Sequence, residues 1–421
     1  MAGIRVERTM HIERPNILEE AVVRSIGYVS GKANVLQECV SFGGQRRYYF
    51  RVNRISDHGY APSPAMIRRS EDNGRTWQEV GPRQEILPLH GKWRLWVEEP
   101  NYILRPGTET VAQMYATREN LTDLLPWDQG SPFAVTTLLW TRISHDAGRT
   151  WGEPEQVVME GPEFNPRHWA PGVWYGRNSA ASEGVEPVFL PDGRFILPVF
   201  VPVPDQPHQW QSGGIIGQWR PDGGGIGWRM TATATVGKDG SNCGGDEPSI
   251  ALLEDGRLFM SMRVRVDPND GTSIPSGKFY AVSDDLGESW SAPQLFRYDD
   301  GEQVYCPACL AHVFRGRNGR LYIITNILDK PTYACDPRTK LQIAEIDRQT
   351  FRIIRSSVTI IEQRQPGQND LVRFSNWRRY EDRKTGHVML YMSACPGNEG
   401  RHENCHCPPH SYRYEIILPE G

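Results

Sequence analysis

The stretch Ser144-His145-Asp146-Ala147-Gly148-Arg149-Thr150-Trp151 decides the fold of this chain, because nearly the same residues occur twice more. The other two copies read Ser70-Glu71-Asp72-Asn73-Gly74-Arg75-Thr76-Trp77 and Ser283-Asp284-Asp285-Leu286-Gly287-Glu288-Ser289-Trp290. In this pattern we expect the Asp to accept backbone N–H groups across a hairpin turn. We expect the Gly to adopt a positive φ and the Trp to pack between neighbouring sheets. The turns recur at one and then two intervals of about 70 residues, which predicts a repeat architecture.

A second series of hairpins, each with a Gly in its turn, alternates with the first. These turns are predicted near Gly44, Gly107, Gly193, Gly256, Gly319 and Gly386. Repeats of this length have room for one four-stranded sheet each, and sheets repeated around an axis form a propeller. We therefore predict an all-β fold, a six-bladed β-propeller that occupies residues 1–421 as a single domain. The alternatives are a seventh blade near positions 155–185, a β-sandwich, or two smaller β domains.

The composition argues against several classes of partner. A formal net charge of −4 lacks the basic excess that nucleic-acid binding needs. No apolar run is long enough to cross a bilayer, so no membrane partner is predicted. The N-terminus lacks an apolar secretory segment. We expect the chain as written to be cytoplasmic, or secreted or periplasmic if a leader was removed; the oligomeric state is left open.

The hairpins also predict where a functional site lies. In an antiparallel hairpin, the start of the first strand and the end of the second lie opposite the turn. If these strands are the inner pairs of their blades, such residues ring one mouth of the central channel. They are Glu38 with Arg51 and Arg54, Glu99 with Arg118, Glu186 with Phe200, Glu247 with Arg263, Cys309 with Asn326, and Asn376 with Ser393.

A ring of Glu and Arg is typical of a site for acidic or heavily hydroxylated sugars. Arg binds a carboxylate through two parallel hydrogen bonds, and carboxylates act as acid, base or nucleophile. The alternative is that each Glu–Arg couple is a structural ion pair within its blade. The three repeated aspartates belong to outer strands and are predicted to be structural.

A long insertion, residues 165–178, is predicted to enter the third blade at the same mouth. Its His168, Trp169 and Arg177 are suited to stacking on sugars and hydrogen-bonding them, in a loop that acts as a lid. The alternative is a structural loop that packs its Trp residues beneath itself.

The repeated turns resemble those of the sialidase (neuraminidase) superfamily, whose six-bladed propellers carry Asp-box (BNR) repeats. The resemblance covers essentially the whole chain. Sialidases hold the substrate carboxylate with three arginines and use a Tyr nucleophile backed by a Glu, with an Asp as acid/base. The resemblance implies Glu247 as that Glu and Arg263 and Arg338 as two of the arginines. It also implies Asp57, or its neighbour His58, as the acid/base.

Two positions depart from the family pattern. Val35-Leu36-Gln37-Glu38-Cys39 stands where an aromatic-Arg-Ile-Pro signature is expected, and Arg373-Phe374-Ser375-Asn376 stands where Tyr-Ser is expected. Phe has no hydroxyl, so a sialidase mechanism would need Tyr333 or Tyr380 as the nucleophile instead.

The pattern as a whole predicts a carbohydrate-active enzyme, a glycoside hydrolase on acidic or deoxy sugars with an oligosaccharide or polysaccharide substrate. In this hypothesis Arg263 and Arg338 hold the acid group, and Glu247 with Asp57 or His58 supplies the two proton-transfer groups of hydrolysis. A polysaccharide lyase would instead use His58, His168 or Tyr333 as the base beside an Arg-neutralised acid group. Exo-sialidase activity and a non-catalytic glycan-binding propeller are the further alternatives.

Two clusters of cysteine suggest a metal site. Cys306 and Cys309 open the fifth hairpin, and Cys405 and Cys407 follow the sixth, close to several histidines. Cys and His are zinc ligands, so zinc or another divalent metal is a hypothesis, although the predicted chemistry requires no cofactor. Buried thiols, or a disulfide that holds the C-terminal loop, are the alternatives.

Overall fold

The structure is a computed structural model in which the regular elements are β-strands. It describes residues 3–13, 21–32, 35–41, 65–83, 86–89, 93–120, 135–178, 180, 182, 186–204, 206–266, 277–333, 335–368, 372–375, 377–396 and 410–421. A 3-10 turn lies at Arg355–Ser357. Among these residues, no helix has the length and apolar character needed to cross a membrane.

The strands, in chain order, are as follows. They are β1 (Arg5–Glu13), β2 (Ala21–Tyr28), β3 (Val35–Ser41), β4 (Ala65–Ser70), β5 (Gln78–Arg83), β6 (Ile86–Leu89), β7 (Trp93–Leu104), β8 (Val111–Asn120), β9 (Val135–Ser144), β10 (Glu155–Gln156), β11 (Val188–Phe189), β12 (Phe195–Val203), β13 (Gln206–Trp219), β14 (Ile226–Met230), β15 (Ala234–Thr235), β16 (Gly245–Leu252), β17 (Leu258–Val264), β18 (Lys278–Ser283), β19 (Gln294–Leu295), β20 (His312–Arg315), β21 (Leu321–Thr325), β22 (Lys340–Ile346), β23 (Thr359–Gln363), β24 (Val372–Phe374), β25 (Arg378–Glu381), β26 (Val388–Pro396) and β27 (His410–Ile417).

The described strands form six sheets that succeed one another along the chain. They comprise β2 to β5, β6 to β10, β11 to β15, β16 to β19, β20 to β23, and β24 to β27, which β1 joins. The pairing of β1 with β27 is antiparallel, so the N-terminal strand completes the last sheet. Such pairing between the two ends of the chain holds a ring of sheets closed by backbone hydrogen bonds.

Each sheet packs against the next, and the last packs against the first. Inner strand β2 contacts β7, β12 contacts β16, β16 contacts β20, β22 contacts β24, and β25 contacts β2 again. The second and third sheets share an apolar cluster that includes Ile103 and Phe195. The predicted all-β propeller is therefore confirmed. Residues 157–178, where the sequence left room for another blade, form turns and isolated bridges such as Ala170 with Val173.

The three repeated turns share one set of hydrogen bonds. Asp146 accepts the N–H groups of Arg149 and Thr150 at 3.0 and 2.8 Å, and also the Ser144 hydroxyl at 2.7 Å. Asp72 and Asp285 accept the equivalent Ser hydroxyls at 2.7 and 2.8 Å. The predicted Gly148 has a φ of 75°. These aspartates therefore hold turns between outer strands, as predicted, and do not act as reacting groups.

The repeated tryptophans pack between sheets. Trp290 donates its indole N–H to the carbonyl of Ala232 in the third sheet, at 3.0 Å. Trp77 of the first sheet meets the ring of Tyr391 in the last sheet edge-to-face, with 6.5 Å between centroids. A large apolar ring at each turn thus joins neighbouring sheets.

Five of the six predicted Gly-centred hairpins are confirmed, and the first, at Gly44, lies outside the described residues. The turns at Gly107, Gly193, Gly256, Gly319 and Gly386 all have φ between 73° and 88°. In the first sheet, however, β2 and β3 flank a turn near Gly31, and Gly44 follows β3 outside the described residues. Glu38 consequently lies within β3, opposite Ser25, and not at a strand end.

Candidate functional site

The hairpins give the central channel two different ends. We call the end at which β16 begins and β17 finishes the channel mouth, and the end that carries the Gly-centred turns the turn face. Glu247 lies three residues into the eight-residue β16, and Arg263 lies one residue before the end of β17. Both therefore lie at the channel mouth, as the sequence predicts.

Glu247 and Arg263 form an ion pair through Oε1 and Nη1. Asp246 lies on the same guanidinium, with 3.8 Å between its Oδ2 and Arg263 Nη1. Successive side chains of a strand normally point to opposite faces. Here β16 has a register shift between Asp246 and Ser249, and Glu247 has a φ of 39°. This irregularity turns both carboxylates towards one arginine, as β-bulges do when they redirect a side chain.

Asp246 was not identified from the sequence, although it directly precedes the Glu247-Pro248 pair. Burial raises the pKa of its carboxyl to about 6, with Arg263 opposing the shift and Glu247 adding to it. Its Oδ1, like Arg263 Nε, is buried without a hydrogen-bond partner in the part of the chain that is described. Two carboxyls in different environments thus share one guanidinium at the mouth.

A loop between β21 and β22 covers this group. Cys335 Sγ lies 3.8 Å from Arg263 Nη2. Two residues earlier in the loop, Tyr333 is 45% exposed. The loop is braced by the Thr332 hydroxyl, which donates to the carbonyl of Asp336 at 2.6 Å. Tyr333 is therefore a solvent-facing hydroxyl on the loop that contacts Arg263.

Arg338 lies on the same loop, but its guanidinium is already bound within the protein. It donates to the carbonyls of Cys335 and Ala308 at 2.8 and 2.9 Å, and to Ser375 Oγ at 2.9 Å. Arg338, predicted as one of the substrate-binding arginines, thus lies at the mouth. Its hydrogen bonds there join the loop to the last sheet. Phe374, which stands where the family places its Tyr, is 1% exposed and packs in the core.

Glu186 is not at the mouth, contrary to the prediction. Strand β11 pairs Val188 with Ile196 and Phe189 with Phe195, and this register puts Glu186 nearer the turn than Phe200. The Glu186 carboxylate instead forms an ion pair with Arg379 of β25, with 2.6 Å between Oε2 and Nη2. Tyr380 is also excluded as a nucleophile at the mouth, because its hydroxyl is committed to the carbonyl of Asn73 at 2.7 Å.

The insertion at residues 165–178 packs mainly as a structural loop. Trp169 is completely buried in the cluster shared by the second and third sheets. His168 stacks on Trp174, with 3.8 Å between ring centroids, and Arg177 lies 6.0 Å from the Trp174 ring. Gly176 N–H donates to Thr136 Oγ1 at 3.0 Å, near the start of β9. The prediction of Trp169 as a sugar contact is therefore wrong, while Trp174 is the exposed aromatic of the loop.

Comparison with known proteins places this geometry in context. No protein-family model matches the chain. A sialidase from Micromonospora viridifaciens is 26% identical over 247 residues, which are 56% of this chain and 33% of the relative. The chain thus spans about a third of the length of this curated relative.

Solved structures share the fold over nearly the whole chain. A protein of unknown function from Dyadobacter fermentans has a TM-score of 0.62 at 14% identity, covering 100% of both chains. The NanB sialidase from Streptococcus pneumoniae has a TM-score of 0.58 at 11% identity, covering 97% of this chain and 70% of its own. The chain is a sialidase-like β-propeller. An α-L-arabinofuranosidase from Fusarium graminearum has a TM-score of 0.52 at 14% identity, covering 96% and 94%.

In this sialidase-like propeller, Cys306 and Cys309 are both buried. Burial raises the pKa of the Cys306 thiol to about 12. No three His, Cys, Asp or Glu side chains are grouped as a metal site within the described ranges. The remaining predicted site residues lie outside those ranges, so the metal hypothesis and the acid/base assignment stay predictions; they are Arg51, Asp57, His58, Asn376, Cys405 and Cys407.

Proposed function

We propose that this sialidase-like propeller is a glycoside hydrolase that acts on acidic sugars at the channel mouth. The observation that carries the proposal is the group of Glu247, Asp246 and Arg263, two carboxyls on one guanidinium beneath the Cys335 loop. An arginine that is held by two protein carboxylates is suited to exchange one of them for the carboxylate of a substrate. The named activity of the curated relative, a sialidase, supports an acidic sugar.

The two carboxyls have distinct roles in this proposal. Asp246, with its pKa raised to about 6, retains a proton near neutral pH more readily than an ordinary carboxyl. A carboxyl of this kind is suited to protonate a leaving-group oxygen, while Glu247, paired with Arg263, is suited to accept a proton from the attacking water. Asp57 or His58, implied by the resemblance, is proposed to complete the proton transfer. Hydrolysis of a glycosidic bond typically uses two carboxyl groups, one on each side of the bond that is cleaved.

An exo-sialidase is the second candidate, because Tyr333 is exposed on the loop that contacts Arg263. A tyrosine hydroxyl at this place would replace the one that Phe374 lacks. The polysaccharide lyase and the non-catalytic glycan-binding propeller of the sequence analysis are outcomes of the experiment below.

We also propose that each of the six sheets is one blade of a single propeller domain spanning residues 1–421. The unbroken succession of sheets along the chain and the pairing of β1 with β27 support this count. The three turns at Asp72, Asp146 and Asp285 are proposed to be Asp-box repeats, on the support of their shared hydrogen bonds.

The test is a screen of the purified protein against aryl glycosides of acidic sugars, including a sialoside, and uronate-containing polysaccharides. Released reducing sugar and ultraviolet absorbance of unsaturated uronates are measured together. Reducing ends without new absorbance support the hydrolase, and new absorbance would identify a lyase. No turnover across the panel, with glycan binding still measured by calorimetry, would replace the enzyme with a glycan-binding module.

Two variants connect any activity to the mouth. We expect Glu247→Gln to lower kcat by about 100-fold or more, the usual range for a group that transfers a proton. The matched control is Glu254→Gln, in the exposed turn of the same hairpin, where the carboxylate bonds Arg348 at 2.5 Å. Equal turnover of Glu247→Gln and the wild type would refute the site assignment.

A further inference from the structure

A second cavity opens at the turn face of the channel, away from Glu247. Its volume is about 420 Å³, and it is lined by four of the six sheets. The lining comes from the ends of β2, β7 and β25 that lead into their hairpin turns, and from the short β11. Glu247, in contrast, lies at the end of its strand away from the turn. The mouth and this turn-face cavity are therefore separate openings.

Two residues that line the turn-face cavity, Glu186 and Arg379, form an ion pair that leaves one buried polar atom of each unsatisfied. Arg379 is 8% exposed and Glu186 a third exposed in the ion pair that they form. Arg379 Nε and Glu186 Oε1 are both buried, and neither has a hydrogen-bond partner among the described residues. Buried polar atoms in folded proteins are nearly always satisfied by protein, water or ligand. The lining of the cavity thus includes one residue with an unsatisfied donor and one with an unsatisfied acceptor.

Aromatic rings form the walls, and hydrogen bonds hold them in place. The Tyr28 hydroxyl donates to Asn73 Oδ1 at 3.0 Å and accepts the N–H of Arg383 at 2.9 Å. The Arg383 guanidinium lies 3.8 Å from the centroid of the Tyr28 ring and donates to the carbonyl of Ser30 at 2.6 Å. These contacts come from the repeated Asp72 turn and from the first and last hairpins, so the wall is formed before any ligand binds.

Phe189 supplies an exposed aromatic face to the same cavity. It lines the opening and is 45% exposed, whereas its neighbour Leu190 is buried. An exposed aromatic ring beside a preformed polar pocket is a common feature of ligand sites. Single exposed apolar residues are ordinary, but this one adjoins the unsatisfied atoms of Glu186 and Arg379.

The charges of the lining balance. Two carboxylates, Glu186 and Glu381, accompany two guanidinium groups, Arg379 and Arg383. An anionic ligand would meet a carboxylate and a cationic ligand a guanidinium, whereas a neutral ligand with hydroxyls would satisfy the unpaired donor and the unpaired acceptor together. A purely apolar ligand would leave both unsatisfied, at a cost in free energy.

We propose that the turn-face cavity binds a neutral sugar residue, stacked on Phe189 and hydrogen-bonded to Glu186 and Arg379. A cavity of about 420 Å³ is within the range of small-molecule sites and suits one or two sugar rings. The site is independent of the chemistry proposed for the mouth. It would give the protein a second contact with a glycan at the opposite end of the channel.

The test is calorimetry of the full chain with neutral monosaccharides and disaccharides, such as galactose, arabinose, lactose and cellobiose. We expect at least one to bind, and Phe189→Ala to weaken its binding about tenfold, since one stacked ring contributes on the order of 1 kcal/mol. Because Phe189 is exposed, this variant keeps the fold, which circular dichroism verifies. Glu186→Gln is expected to weaken the same binding.

Glu247→Gln separates the turn face from the mouth. The proposal requires that this variant bind the neutral sugar as the wild type does, even if it loses turnover of acidic substrates. Binding that is lost in Glu247→Gln and kept in Phe189→Ala would assign the sugar to the mouth and overturn the proposal. The absence of binding by any neutral sugar in the panel would overturn it as well. Neither result depends on whether the mouth proves to be catalytic.

Discussion

Arg379 of the last sheet is paired with Glu186, which lies two residues before the first strand of the third sheet, with 2.6 Å between Nη2 and Oε2. The pair thus joins two sheets that are not neighbours along the chain. The guanidinium carbon of Arg379 also lies 4.0 Å from the ring centroid of Phe314 in the fifth sheet. One side chain thus joins three sheets near the axis of the ring.

This pair has a measurable consequence for stability. Glu186→Leu leaves the buried Arg379 guanidinium without its carboxylate, so we expect a loss of about 3 kcal/mol in the free energy of unfolding. The double variant Glu186→Leu/Arg379→Met removes both charges and should recover most of that loss. Urea denaturation of the two variants measures the difference. A double variant no more stable than Glu186→Leu would show that the charge pair is not the cause.

Asp246 predicts how stability depends on pH. Its pKa of about 6 in the folded chain is above the value of about 3.9 expected when unfolded. Between these values the folded protein binds more protons, so the contribution of Asp246 to stability falls as pH rises from about 4 to about 6. We expect Asp246→Asn to remove this part of the slope, as measured by urea denaturation across that range.

Asp255→Asn is the matched control for the pH experiment. Asp255 lies in the turn of the same hairpin, and its hydrogen bond from Arg257 lowers its pKa. Its contribution therefore changes below the window in which Asp246 titrates. An unchanged slope in Asp246→Asn, or an equal change in both variants, would contradict the assignment.

Substitution by Ala is expected to affect stability very differently at the two tryptophans of the insertion. Trp169 is fully buried and Trp174 is 45% exposed. Trp169→Ala should lower the free energy of unfolding by about 3–5 kcal/mol, because it removes a large side chain from the core. Trp174→Ala should cost less than about 1 kcal/mol. Guanidinium denaturation of both variants tests this, and equal losses would mean that the loop does not pack as described.

Loss of the aspartate from a repeated turn is expected to lower the stability of the protein more than loss of an aspartate from an ordinary turn. Asp146 accepts two backbone N–H groups and two hydroxyls, and Asp146→Ala should cost about 1–2 kcal/mol, as loss of a helix cap does. Asp222 offers the control, since it lies in the exposed turn between β13 and β14 and accepts the N–H of Gly224 at 2.9 Å. Thermal unfolding of Asp146→Ala and Asp222→Ala gives the comparison. A larger effect at Asp222 would contradict the structural role of the repeated aspartate.

Much of this protein was predictable from local sequence. A Ser, an Asp and a Gly at fixed spacing specify the repeated turns, because their hydrogen bonds and the positive φ of Gly148 involve residues a few positions apart. The position of Glu247 and Arg263 at the same end of one hairpin follows likewise from the length of its two strands. Repeats of such hairpins then predict the propeller.

Tertiary structure alone decided which side chains meet across the ring. Glu186 pairs with Arg379, far along the chain, because the packing of the sheets brings these two residues together, and no local spacing encodes that contact. Asp246 is the strand partner of Arg263, whereas Glu247 reaches the same guanidinium because a strand irregularity overrides the alternation of side chains. Trp169 and Trp174 look equivalent in sequence, yet the space left between two sheets buries one and exposes the other. Turns depend on neighbours in the chain, whereas burial and ion pairing depend on the packed whole.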